Sequence, residues 1–189
     1  RYTLATQINL SERYLHQAYR EMGLNPSYHE WSNGNYNGRN VIAELPGTTH
    51  PERIWILGGH FYSISESPYT NSPGADDNAT GTAAVLLIAK ILSNYEFEDT
   101  IRFVHFSGEE QGQWGSKRYA AELSQAGAEI LGFINLDMIG YDGNGDRQIE
   151  LHTGLATGSI GLGDVFRQNN LDYDQALVIE QKTSSASRF

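Results

Sequence analysis

The chain has 189 residues, 39% of them hydrophobic and 11% aromatic, which excludes a disordered polymer and suits one globular domain with a sizeable core. Its 23 acidic against 13 basic residues give a formal charge of −10, which argues against a binder of nucleic-acid phosphates or of an anionic membrane surface. There is no cysteine, so disulfides, thiolate metal ligands and a cysteine nucleophile are excluded, and no apolar run approaches the length of a membrane span.

The first predicted element is an amphipathic helix over 10–22. Leu15, Ala18, Tyr19 and Met22 recur at helical spacing, Ser11 can cap its start and Gly23 ends it. Residues 27–40 are rich in asparagine and glycine and read as turns. A strand follows over 41–45, closed by Pro46-Gly47, and a second over 53–57, ending in Gly58-Gly59-His60. Residues 61–74 read as an irregular loop with two prolines, Pro68 and Pro73. A helix over 80–95 is apolar nearly all round, which predicts a buried one. A strand over 100–106, a helix over 114–125 and a strand over 130–136 come next. Residues 148–152 predict another strand, 159–169 another helix and 176–179 a last strand. The alternation predicts an α/β fold: a single domain, 1–189, with a largely parallel mixed sheet and helices on both faces.

In such a fold, ligands bind beyond the carboxyl ends of the parallel strands. Four acid or histidine groups fall there. His60 follows one strand, Asp76-Asp77 precede the next helix, Glu109-Glu110 follow the strand over 100–106, and Asp137 ends the strand over 130–136. Each has a bland reading by itself. Most Glu-Glu pairs are solvated surface, a strand-end histidine is more often structural, Asp76-Asp77 suits a turn with a helix cap, and Asp137 suits a turn near Gly140. Together they suit zinc, with positions left open for water and substrate. The surplus of carboxylates over what one zinc needs points to two metals sharing a carboxylate, as in two-metal hydrolases.

The runs Gly59-His60, Gly74-Ala75-Asp76-Asp77-Asn78-Ala79-Thr80-Gly81, Ser107-Gly108-Glu109-Glu110-Gln111-Gly112 and Asn135-Leu136-Asp137-Met138-Ile139-Gly140 carry a resemblance. In order and spacing the chain resembles the zinc aminopeptidases related to bacterial leucyl aminopeptidase and glutamate carboxypeptidase. The resemblance implies a zinc-dependent exopeptidase acting on peptides with a free N-terminus. It implies that Asp76 bridges two zincs through a residue whose bond to Asp77 is cis. His60 and Asp137 then complete one zinc, Glu110 binds the other, and Glu109 is the general base that takes a proton from the attacking water and passes it to the leaving amine.

Two departures go with it. The family has an Asp two residues after the first His, as that histidine's partner; here the position is Tyr62, which brings no negative charge. The family's last ligand is a His in a downstream His-Thr pair; His152-Thr153 has the right letters but lies in a predicted strand soon after Asp137 and reads as a sheet residue. The second zinc therefore lacks a nitrogen ligand, and the sequence reading expects residues beyond Phe189 and weak activity for this piece. It also expects a secreted or periplasmic protein, processed to begin at Arg1. Other readings stay open: a carboxypeptidase or dipeptidase relative, a relative of the glutaminyl cyclase type, and a silent binding module on the same scaffold.

Overall fold

A computed structural model describes residues 8–184. Its contacts divide the chain into two compact units, residues 1–140 and 141–189. The fold is mixed α/β, as the alternation predicts.

In the first unit, α1 (Ile8–Glu21) buries Ile8, Glu12, Leu15 and Tyr19, the one face that a 3.6-residue repeat brings together. Gly23, at φ +80°, ends it, and Leu24 N donates to Tyr19 O at 3.1 Å across the turn. Residues 27–40, read as turns, instead form β1 (Ser27–Asn33) and the first half of β2 (Tyr36–Leu45), whose second half is the expected strand over 41–45; the two strands make a β-hairpin with Asn33 opposite Tyr36. Its two-residue loop has Gly34 at φ +60° in first position, the conformation that suits the twist of a tight hairpin. The signal for it was the Gly-Asn pair flanked by Tyr28, Trp31 and Val41, obscured by the polar residues between them.

The remaining elements of this unit are β3 (His50–His60), α2 (Ala79–Leu92), β4 (Asp99–Phe106), α3 (Trp114–Gln125) and β5 (Glu129–Asn135). The sheet order is β1-β2-β4-β3-β5. β1, β2 and β4 pair antiparallel in succession, while β4, β3 and β5 run parallel. The sheet is thus mixed, with its three site-bearing strands parallel and ending at one edge.

Alternate residues of these strands feed two cores. One face carries Val41, Ala43, Leu57 and Phe103 against Leu15 and Tyr19 of α1 and Val85 and Ala89 of α2. The other carries Ile42, Ile54, Ile56, Val104 and Phe106 against Tyr119 of α3. Helices therefore cover both faces. The structure corrects one expectation: α2 is not buried all round. It buries Gly81, Val85 and Ala89, whereas Leu87 and Ile91 are more than half exposed.

The second unit holds β6 (Gln148–Thr153), α4 (Thr157–Asp172) and β7 (Val178–Thr183), with β6 and β7 paired in parallel. Gly163 of α4 packs so close to Thr153 that a β-carbon there would sit 2.7 Å from the Thr153 methyl. Among the described residues, no helix is long and apolar enough to cross a membrane.

Candidate metal centre

The parallel register fixes which residues share the edge. His60 pairs with Phe106 across β3 and β4, and Gly58 pairs with Asn135 across β3 and β5. His60 closes β3, and Glu109-Glu110 and Asp137 lie just past the ends of β4 and β5. The fourth contribution comes from the turn before α2. There Asn78 caps the helix, its Oδ1 accepting from Gly81 N at 2.9 Å. The same oxygen accepts from Met138 N at 3.3 Å, and its Nδ2 donates to Leu136 O at 2.8 Å. One buried amide thus ties the start of α2 to the loop that carries Asp137. Gly81 makes the approach possible, because a β-carbon there would collide with Leu136 O and the Asn78 side chain.

At the centre, His60 Nε2 lies 3.0 Å from Asp77 Oδ1 and 3.4 Å from Asp137 Oδ1. His60, Asp77 and Asp137 are the group whose ligand atoms converge closely enough to hold one metal ion among the described residues. The buried atoms at this edge without a hydrogen-bond partner include His60 Nδ1, Glu110 Oε1 and Asp137 Oδ1. Unpaired buried carboxylate oxygens are costly unless a cation meets them.

The electrostatics agree. Burial works against a charged His60, yet its pKa is raised, because the nearby Asp137 carboxylate and the charges of Glu109 and Asp77 outweigh it. Burial raises the Glu109 carboxyl; His60 opposes this, and Asp137 and Asp77 reinforce it. Burial also raises Glu110, with the charges of Asp77 and Glu109 adding to it and His60 and the Ile64 amide opposing. Four carboxylates crowd one imidazole, a charge excess that a divalent cation would offset. The donor set of one nitrogen and several carboxylate oxygens fits zinc with open positions.

The structure brings His60 and Asp137 together as expected, and sets Glu109 and Glu110 beside them in the same electrostatic cluster. The aspartate it brings to His60 is Asp77, not the expected Asp76. Asp76 is not in that group: its Oδ1 accepts from Gly140 N at 2.8 Å and from Thr80 Oγ1 at 3.0 Å. Asp77 takes the place at His60. The cis peptide moves with it and is Asp77–Asn78, not Asp76–Asp77.

Tyr62 is fully buried. Burial and the Glu12 carboxylate raise its phenol pKa, while hydrogen bonding to Ser107 opposes them. Its surroundings are thus Glu12 and Ser107, and His60 Nδ1 has no hydrogen-bond partner. His152 lies in β6 of the second unit, with Nε2 2.9 Å from Glu150 Oε2, as its reading as a sheet residue expects.

A family model described as Peptidase family M28 matches residues 40–188. The chain belongs to that family. A probable zinc metalloprotease of Pyrenophora tritici-repentis is 38% identical over 103 residues, 53% of this M28 chain and 24% of that protein. Leucine aminopeptidase 1 of Trichophyton equinum is 34% identical over 135 residues, 67% of this chain and 36% of that one. Among solved structures, the LapA aminopeptidase of Legionella pneumophila matches 95% of this chain and 49% of its own with a TM-score of 0.78 at 17% identity. An Acidobacteriales glutaminyl cyclase matches 99% of this chain and 67% of its own, also at 0.78, with 19% identity. At these identities the structural likeness fixes the fold alone. The M28 chain spans well under half the length of these two curated relatives. The metal that family and relatives imply is zinc.

Proposed function

We propose that the protein is a zinc-dependent aminopeptidase, removing N-terminal residues from peptides with Glu109 as general base. The observation that carries this reading is the convergence of Asp77 and Asp137 on one histidine, with unpartnered buried oxygens and Glu109 in the same cluster. His60, Asp77 and Asp137 would hold one zinc, and Glu110 would serve a second beside it. Bound there, zinc supplies Lewis acidity to the scissile carbonyl and to the attacking water. Glu109, its carboxyl raised by burial, takes the proton from that water and returns it to the leaving amine. The carboxylates in excess of the metal's need attract the substrate's ammonium terminus, which favours free N-termini over blocked ones.

The test is zinc content together with turnover of an aminoacyl anilide and of its N-acetylated form, on the full-length protein. Bound zinc, with cleavage of the free substrate and not of the acetylated one, is the expected result. Equal cleavage of both would remove the aminopeptidase assignment. The unpartnered His60 Nδ1 favours a second reading, a binding module that holds zinc without turnover, and the same assay separates the two.

A further inference from the structure

The loop from Ser107 to Gly115 carries Glu109 and Glu110, and both of its ends converge on one side chain from another strand. Asn40 lies on β2, just past the residues of that strand paired with β4, where Val41 faces His105. It is fully buried. Its Oδ1 accepts from Ser107 N at 2.9 Å and from Ser107 Oγ at 3.2 Å. Its Nδ2 donates to Gly115 O at 3.0 Å and lies 2.9 Å from His29 Nδ1. His29 Nε2 is in turn 3.0 Å from Glu122 Oε2. The network is consistent only one way round. His29 gives its Nε2 proton to the carboxylate and accepts at Nδ1 from the Asn40 amide, so both capacities of that amide are filled. A flipped amide would set its NH2 against the Ser107 N–H.

The loop is drawn closed beside this clamp. Gly115 N donates to Ser107 O at 3.0 Å, and Trp114 N donates to Gly108 O at 2.9 Å. Within it, Glu109 O accepts from Gly112 N at 2.8 Å and from Gln113 N at 2.7 Å. Trp31 of β1 adds an Nε1 bond to Ser107 Oγ at 2.6 Å. A β-carbon on Gly115 would collide with Asn40 Oδ1 and Ser107 O, so α3 can start this close only with glycine there. Asn40 alone among these side chains bonds both the residue that opens the loop and the residue that closes it.

We propose that Asn40 is the positioning residue of the Glu109–Glu110 loop, fixing both carboxylates relative to His60 from a strand that supplies no ligand. It touches no reacting atom. The inference rests on the function proposed above for those carboxylates, but the clamp itself has a readout independent of that function.

The experiment compares the wild-type full-length protein with Asn40→Ser, Asn40→Asp and, as a control, Tyr19→Phe. Tyr19 OH bonds His105 Nε2 at 2.7 Å, so the control loosens a buried polar contact of β4 that does not reach the loop. Amide hydrogen exchange on the metal-free proteins reads the clamp. Losing its bonds should speed exchange at Gly112, Gln113 and Gly115 by about tenfold or more, with β3 and β4 unchanged. In the zinc-loaded proteins, kcat should fall on the order of a hundredfold at nearly constant KM, as expected for a displaced base, while Tyr19→Phe keeps wild-type kcat. Uniformly faster exchange across the sheet would overturn the proposal. So would unchanged kcat in the Asn40 variants, or failure of both variants to fold where Tyr19→Phe folds, since each makes Asn40 a general stability residue. A wild-type protein that shows no turnover sinks the functional reading instead, and the exchange pattern still decides the clamp.

Discussion

Glu109→Gln exchanges one oxygen for an NH2 group and so separates metal retention from proton transfer. The amide keeps the size of the side chain but accepts no proton. Zinc content should stay at the wild-type level while kcat falls about 10²–10⁴-fold. Wild-type turnover would take Glu109 out of the mechanism. The two neighbouring aspartates should part company in the same assay. Asp77→Ala removes an oxygen 3.0 Å from His60 Nε2 and should lose zinc on dialysis. Asp76→Ala should keep zinc but lose about 0.5–1.5 kcal/mol of stability, because Gly140 N loses its acceptor while Thr80 Oγ1 keeps the Asp76 carbonyl. The reverse pattern would restore Asp76 as the ligand. At this scale the sequence makes the four strand-end groups readable, since topology alone brings them to one edge. It does not say which of two adjacent aspartates faces inward. That is decided by two hydrogen bonds, a local one from Thr80 and one from Gly140, far along the chain, whose position the sequence does not reveal. Asn40 and Asn78 are unreadable for the same reason: a buried amide looks like any turn asparagine until its partners are known.

Among the elements, helices and parallel strands were legible because their apolar spacing is regular. The hairpin of β1 and β2 was not, because its strands are polar at most exposed positions and only a Gly-Asn turn marks it. α2 shows the opposite error. Its apolar sequence predicts burial on every side, yet Leu87 and Ile91 are exposed. The fully buried His105 of β4 gives this level its own test. Burial lowers its pKa from the ordinary 6.5 to about 3. Below the unfolded-state value, the unfolded chain takes up a proton that the folded chain refuses, so the contribution is intact above pH 6.5 and lost as pH falls toward 3. The cost grows by up to about 1.4 kcal/mol per pH unit, roughly 2 kcal/mol at pH 5. Urea midpoints at pH 7 and pH 5 measure it. His105→Gln should show the shallower fall, and equal falls in both proteins would mean that His105 is not held neutral.

For the molecule as a whole, zinc is a ligand that binds the folded state, and removing it should cost stability by mass action. With free zinc a thousandfold above its Kd, chelation should lower stability by about 4 kcal/mol, read as a lower melting temperature that returns when zinc is restored. A melting temperature indifferent to chelator would contradict the metal centre. The α/β class and the use of both sheet faces were legible from the order of the elements, which local patterning fixes. Which strands become neighbours was not, because pairing depends on contacts the pattern does not encode.

That order has a practical side. Among the described residues, β5 has a ladder partner on one side only, β3, and it shows Phe133 and Ile134 about two-fifths exposed. Within the first unit, the backbone amides and carbonyls on its other side pair with no strand, and an unpaired edge is a template for an extended segment. Concentrated samples should therefore be lost through strand addition at this rim before their metal site fails, and shelf life should depend on protein concentration more than on zinc. Ile134→Lys, which puts a charge on the rim, should slow the growth of light scattering at high concentration while leaving zinc content as it was.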